Sequence, residues 1–341
     1  MSRIVIRLLA LASLCVATAA GAEPLRVVTS TPDLADLARV VGGDEVTVQA
    51  LVRGPQDAHF LDPRPTFVRK LHEADLYVEM GLQLEIGWSP VLLRSARNPK
   101  VRPGGGGYVD ASQAIAPLEV PTGPVTRAEG DVHAYGNPHY LSDPLNGLLV
   151  ARLLRDRLAA AHPDGAPDFA ARTARFERTL LGHLVGDALA ARTPADELVT
   201  ALAEDRLTAW LEGQDGAPPL GGWLGRLASA RGTAVVQDHN LWPYFARRFG
   251  LRSVAELEPL PGIAPTTAHL TKVVALMKSQ DVRLLLASAY FDPRHARTVA
   301  GRTGIPVVTL AHQVGALPGA DDYLSTAELN VRRVEEALRG D

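Results

Sequence analysis

The sequence predicts an α/β protein made of two Rossmann-like lobes with parallel sheets, joined by a long connecting helix. Three observations carry this. Short β-branched runs alternate with helical spacing from Leu25 to Met80, an Ala-, Leu-, Arg- and Glu-rich helical stretch follows over 145–192, and the alternation returns from Thr233 onward. Strands alternating with helices of this length form βαβ units with parallel pairing. A chain of 341 residues, 46% hydrophobic and 21% charged, is large for one core and suits two globular lobes.

Taken in order, the N-terminus comes first. Arg3 and Arg7 precede an apolar run from Leu8 to Ala20, and Ala20-Gly21-Ala22 offers small residues for cleavage, so 1–22 reads as a secretory signal peptide. The apolar run is too short for a comfortable membrane span. Cys15, the single cysteine, lies inside it behind the bulky Leu14, which does not suit a lipoprotein box. Cleavage before Glu23 leaves no cysteine for a disulfide or a thiolate ligand, so metal chemistry falls to histidine, carboxylate or water.

The mature chain opens with a strand from Leu25, a helix over 33–41, a strand over 47–52, a helix over 65–74 and a strand over 76–80. Gly104 to Gly107 is a turn-rich loop with no helix pattern behind it to cradle a phosphate. Helices over 145–160 and 167–191 come next, the second long enough to cross between lobes as a rod at about 1.5 Å per residue. Strands over 233–237, 253–257, 282–287 and 306–310 then alternate with helices over 241–249, 270–279, 294–303 and 327–339. The division is therefore an N-terminal lobe over 23–164, a connecting helix over 165–192 and a C-terminal lobe over 193–341.

A formal net charge of −3 gives no reason to expect nucleic acid or an anionic membrane as partner. Aromatic residues at 5% argue against a base-stacking surface. The residue type that stands out is histidine, with ten copies. His59, His239 and His312 each follow the carboxyl end of a predicted strand, where open α/β sheets bind ligands, and His139 lies in a loop before a helix. Neutral imidazole is a standard Zn²⁺ ligand, and four donors close a tetrahedral site. No H-E-x-x-H helix is present. His72, His162, His183, His269 and His295 read as ordinary helix or turn residues. Asp57, Asp143 and Asp238 lie close enough in sequence to orient ligand rings or to cap helices.

At these residues the chain resembles the metal-binding receptors of bacterial ABC importers for zinc and manganese. The resemblance runs from Val27 to the final helix. It is carried by Gln56-Asp-Ala-His59 with Pro63, Gly81-Leu-Gln-Leu-Glu85-Ile-Gly-Trp88, Asn137-Pro-His139-Tyr140 with Asp143-Pro144, and His239 with Tyr244-Phe-Ala-Arg-Arg-Phe-Gly-Leu251. It implies a metal in the cleft between the lobes, with His59, His139 and His239 as three ligands. Histidine at the third position looks like the zinc branch, since manganese receptors usually carry glutamate there. The fourth position falls on His312, where an aspartate is more usual. Asp292 is an alternative donor that also reads as a helix cap before Pro293, and His133, in a loop where zinc receptors carry acidic or histidine-bearing segments, is another. Glu85 and Trp88 read as packing residues beside the cleft.

The resemblance implies a monomeric periplasmic receptor that binds Zn²⁺, with Mn²⁺ second, and delivers it to the transmembrane subunit of an ABC permease. A periplasmic metallochaperone is a further implied partner. Histidine ligation predicts affinity that falls as pH drops toward about 6. The competing reading from the residues is a secreted zinc-dependent hydrolase with a three-His site, using Asp57 or Asp292 as base. A surface adhesin with a structural metal would need an anchor, and a receptor for an organic ligand would have no use for the histidine set.

Overall fold

A computed structural model describes residues 23–123, 133–258 and 264–340; the segment read as a signal peptide and the acidic start of the loop before His133 lie outside the described residues. The first lobe holds β1 (Leu25–Thr29), α1 (Pro32–Gly42), β2 (Val46–Ala50), α2 (Pro65–Glu73), β3 (Leu76–Glu79), α3 (Ser89–Ala96) and β4 (Tyr108–Asp110). Then come α4 (Pro144–Ala161), α5 (Ala166–Val185), α6 (Asp187–Arg192), α7 (Ala195–Ala203), α8 (Leu207–Glu212) and α9 (Gly222–Arg226). The second lobe holds β5 (Ala234–Gln237), α10 (Pro243–Phe249), β6 (Arg252–Glu256), α11 (Thr267–Ser279), β7 (Leu284–Ser288), α12 (Arg294–Thr303), β8 (Val307–Leu310) and α13 (Tyr323–Arg339).

Each lobe has one four-stranded sheet, ordered β2-β1-β3-β4 and β6-β5-β7-β8, with every pairing parallel. The two-lobed α/β architecture expected from the sequence is the one observed. In both sheets the strand order reverses beside the first strand of the lobe, and the loops leaving the carboxyl ends there form a crevice. Strands β5 and β7 are buried along their whole length, as a sheet covered on both faces requires.

Helix starts follow local chemistry. Pro32 opens α1 with Asp33 in its first turn, and Asp143 caps α4 by accepting from Leu145 N before Pro144 at the first helical position. Asp322 and Ser325 form a reciprocal capping box on α13.

The helical segment read over 165–192 is not one continuous rod. It divides at Gly186, whose φ of 93° and ψ of 142° leave the helical region, and α6 starts afresh at Asp187. Glycine is needed there because a Cβ would lie 3.0 Å from the Gly221 backbone, where the α9 turn crosses. Helix α5 packs on α1, α4 and α9.

The largest apolar cluster is continuous across the molecule. It runs from β1, β3 and α1 through α4 and α5 to Trp242, Phe245 and Phe249 and the inner face of the second sheet. A separate cluster on the outer face of that sheet joins β5 and β7 to α11 and α12. Polar ties cross the same boundary. Asp33 and Asp36 on α1 accept from Val314 N and Tyr323 N at 2.7 and 2.9 Å, and Tyr323 Oη donates to the Leu141 carbonyl at 2.9 Å. The buried Arg248 guanidinium grips the Asp143 carboxylate at 2.8 Å through Nε and Nη2.

Candidate metal centre

The crevice gathers histidines from four separate loops. His59 leaves the segment after β2, and its loop is braced by Trp88, whose Nε1 donates to the Ala58 carbonyl at 2.9 Å. His139 follows Asn137, which accepts from His139 N at 2.9 Å and donates to the Asn240 carbonyl at 2.9 Å, tying the His139 loop to the His239 loop. Tyr244 Oη donates to the Asn137 carbonyl, and Tyr140 Oη donates to the Met80 carbonyl. His239 follows β5 and stacks on Phe291 with ring centroids 5.0 Å apart. His312 follows β8, with its ring edge-on to Tyr290 at 4.6 Å.

His59, His133 and His139 offer ring nitrogens that all lie within 4.8 Å of one another. The His59 and His133 Nε2 atoms are 3.2 Å apart, and the His59 and His139 ring centroids 5.2 Å. The His239 ring stands 6.4 Å from His59 and 6.2 Å from His139, centroid to centroid. His312 lines the same cavity as His59, His139, Asp57 and Tyr290. Its Nε2 donates to the Gln56 carbonyl at 3.2 Å, which leaves Nδ1 as the nitrogen with a free lone pair. That Nδ1 is buried with no hydrogen-bond partner among the described residues. The four histidines picked out from the sequence therefore border one crevice, but of these only His59 and His139 belong, with His133, to the group whose ring nitrogens all lie within 4.8 Å. The loop position of His133 carries no periodicity, so its approach to His59 had no sequence signal beyond the residue type.

Burial holds three of these rings, His133, His139 and His312, neutral. Desolvation, reinforced by the neighbouring His59 and His239, pushes His133 down to about 3 and takes His139 well below the ordinary imidazole value. Desolvation also lowers His312 to about 4, against the opposing hydrogen bond to Gln56. Asp57 responds the other way. Burial raises it, but the hydrogen bonds and charge of His59 outweigh burial and leave the carboxyl below its usual range.

Of the three aspartates read as ring supports, only Asp57 does that work. Its Oδ1 accepts from His59 Nδ1 at 2.7 Å and so turns Nε2 toward the crevice. Asp143 is taken by Arg248 and the α4 cap. Asp238 accepts from Ser288 N, Ser288 Oγ and its neighbour's backbone N–H, not from a ring, because it closes the ends of β5 and β7. Asp292 is exposed and accepts from Arg294 N and Nε just ahead of α12, one residue before the N-cap position, which is Pro293. Glu85 is buried and accepts from Met80 N and Gly81 N, fixing the turn after β3. Burial and the adjacent Glu79 push its carboxyl up to about 8. A residue the sequence did not suggest is Glu258, just past β6, whose Oε2 lies 3.7 Å from His239 Nδ1. Four of the other five histidines have local duties: His72 and His269 meet the Ala96 and Glu256 carbonyls, His162 lies by Glu45, and His183 stacks on Trp223.

Three comparisons bear on this geometry. A family model described as zinc-uptake complex component A, periplasmic, matches residues 27–195 and 223–337. The manganese ABC transporter substrate-binding lipoprotein PsaA of Streptococcus pneumoniae is 23% identical over 324 residues, covering 93% of this chain and 90% of that protein. The zinc-binding lipoprotein AdcA of Streptococcus pneumoniae serotype 4 is 22% identical over 92% of this chain, which spans only 55% of that longer protein. Among solved structures, ZnuA and the laminin-binding adhesin Lmb of Streptococcus agalactiae each superpose with a TM-score of 0.65 at 20% identity, covering 92% of this chain and 99% of theirs. The match across both lobes shows that the chain belongs to the zinc-uptake complex component A family of metal-binding, substrate-binding proteins of ABC importers.

Proposed function

We propose that this protein captures Zn²⁺ in the periplasm, after removal of residues 1–22, and hands it as cargo to the transmembrane subunit of an ABC permease. The observation that carries this reading is the convergence of His59, His133 and His139 within 4.8 Å, with His239 and His312 facing the same crevice. In this reading His59, His139, His239 and His312 are the ligands, and His133 is a competing fourth donor from the first lobe. An all-imidazole set suits zinc, whereas carboxylate and carbonyl oxygens suit manganese. The relatives carry both metals in their names, so the donor set supplies the preference for Zn²⁺ over Mn²⁺.

The hydrolase reading finds no support in the crevice. Asp57 is committed to His59 Nδ1 and Asp292 is exposed beside Arg294, so neither is placed as a base for a metal-bound water.

The pH expectation shifts with the geometry. Protons compete for the same nitrogens as the metal, but burial holds His133, His139 and His312 neutral well below pH 6.5. Their share of the affinity loss therefore falls at lower pH than the free imidazole range. The test is calorimetric titration of the metal-stripped protein with Zn²⁺ and Mn²⁺ between pH 7.5 and 4.5, for wild type and for single alanine variants at positions 59, 133, 139, 239 and 312. Zinc affinity unchanged in the His59 and His139 variants, or tighter manganese than zinc binding, would overturn the reading.

A further inference from the structure

The two lobes hold their ligand rings differently. His59 has a carboxylate already bonded to its Nδ1, while His239 Nδ1 and Glu258 Oε2 are both buried and neither has a hydrogen-bond partner among the described residues. These two orphan atoms face each other at 3.7 Å. A buried polar atom without a partner costs about 1–3 kcal/mol, so two such atoms side by side stand to gain from a small approach.

Their surroundings restrict how else they could be satisfied. The backbone of Glu258 is pinned, since its N–H donates to the Asp238 carbonyl at 3.0 Å, continuing the pairing of β5 with β6. The His239 ring is backed by Phe291, and its side chain is only 7% exposed, against 13% for Glu258. The nearest aspartate, Asp238, spends its oxygens on Ser288 and on the His239 backbone.

We infer that Glu258 is the positioning residue for His239: its carboxylate accepts a hydrogen bond from Nδ1–H, fixes the tautomer and aims Nε2 at the crevice. It is then the second-lobe counterpart of Asp57, favouring Nδ1–H already across the 3.7 Å gap, with a movement of under about 1 Å closing the bond fully. A neutral imidazole held this way keeps one lone pair, on the nitrogen that faces the other histidines. The assignment rests on the proposed role of His239 as a ligand.

The test pairs affinity with a direct view of the ring. Zinc competition titrations are run on wild type, Glu258→Leu and Glu258→Gln, and the His239 tautomer is read from long-range proton–nitrogen correlation spectra of the metal-free proteins. The expected result is an Nδ1–H tautomer in wild type, lost in Glu258→Leu together with about 10- to 100-fold of zinc affinity. Glu258→Gln, which keeps an acceptor oxygen, restores most of both. Wild-type affinity and tautomer in Glu258→Leu, or zinc bound through Nδ1, would overturn the inference. If the leucine variant does not fold, the wild-type tautomer decides: Nε2–H refutes the assignment and Nδ1–H supports it. Failure of wild type to bind zinc would strike the proposed function instead, and the metal-free tautomer would still test Glu258.

Discussion

The first lobe presents a finished cluster, and the second presents parts. Three rings meet in the first lobe, one with its carboxylate in place, and Trp88, Asn137 and Tyr140 hold the loops that carry them. In the second lobe His239 and His312 each keep a buried ring nitrogen without a hydrogen-bond partner among the described residues. The difference teaches that a binding crevice between lobes need not be symmetric. Under the proposed function, one wall would receive an ion with its three rings already gathered, and the other would gain its missing contacts as it engages.

The widest break in that comparison would come from severing the two walls. Replacing Arg248 with Leu leaves the Asp143 carboxylate buried and unpaired, and urea unfolding should show a loss of about 3–5 kcal/mol. Asp143→Asn with Arg248→Leu should recover part of it; no recovery would mean that the pair is not what joins the lobes.

Acid and alkali should separate the walls next. His312 falls from 6.5 to about 4 in the folded protein, so the unfolded chain takes up its proton first and stability is lost as pH drops from about 6.5 to 4. The full loss is about 3 kcal/mol, and His312→Leu should remove it. Glu85 in the first lobe has the opposite sign. Its folded value rises from 4.5 to about 8, so stability present below 4.5 is lost as pH climbs through 8, and Glu85→Gln should flatten that limb. Stability curves from pH 4 to 9 for the two variants with unchanged slopes would refute this assignment.

Metal affinity sharpens the comparison further. His59→Ala removes a member of the preassembled trio and should weaken zinc more than about 100-fold, beyond the range of an outer-shell group, whereas His239→Ala leaves three first-lobe nitrogens and should cost less. Equal losses would show that the trio is not a site by itself. The smallest effect concerns the seam. A Cβ on Gly54 would meet the Gly315 backbone at 2.2 Å, so Gly54→Ala should cost about 1–3 kcal/mol in thermal unfolding, with zinc affinity close to wild type if the loop after His312 shifts as a unit.

Much of this was legible in the sequence because the physics is periodic. The four strands of the second sheet and the helices α1, α2, α4 and α11 to α13 repeat apolar residues over enough turns to be read. Helices α8 and α9 have six and five residues and β4 has three, so no period accumulates, while α3 and α7 are about as long as α2 and yet went unread. The division at Gly186 was hidden because alanine and leucine continue on both sides, and only the crossing of the Gly221 backbone requires the break. His59, His239 and His312 were legible from strand ends. The carboxylate beside His239 was sought in the adjacent Asp238, yet proximity in sequence misled, since the adjacent strand β6 delivers Glu258 to the ring. The usable signal was the same rule that found the histidines, a polar residue just past a strand.

The anchoring of α13 has a consequence for how the chain reaches its native state. Asp36 is bonded to Tyr323 N across 287 residues of sequence, and Tyr323 also seals the carbonyls at Leu141 and Asp143. Contacts of such separation form late, because closing a long loop costs entropy before any contact returns it. The first lobe therefore cannot complete its packing until the last helix has been made. Synthesis from the N-terminus therefore leaves these bonds of α1 and of the loop before α4 unmade until the last helix has been added.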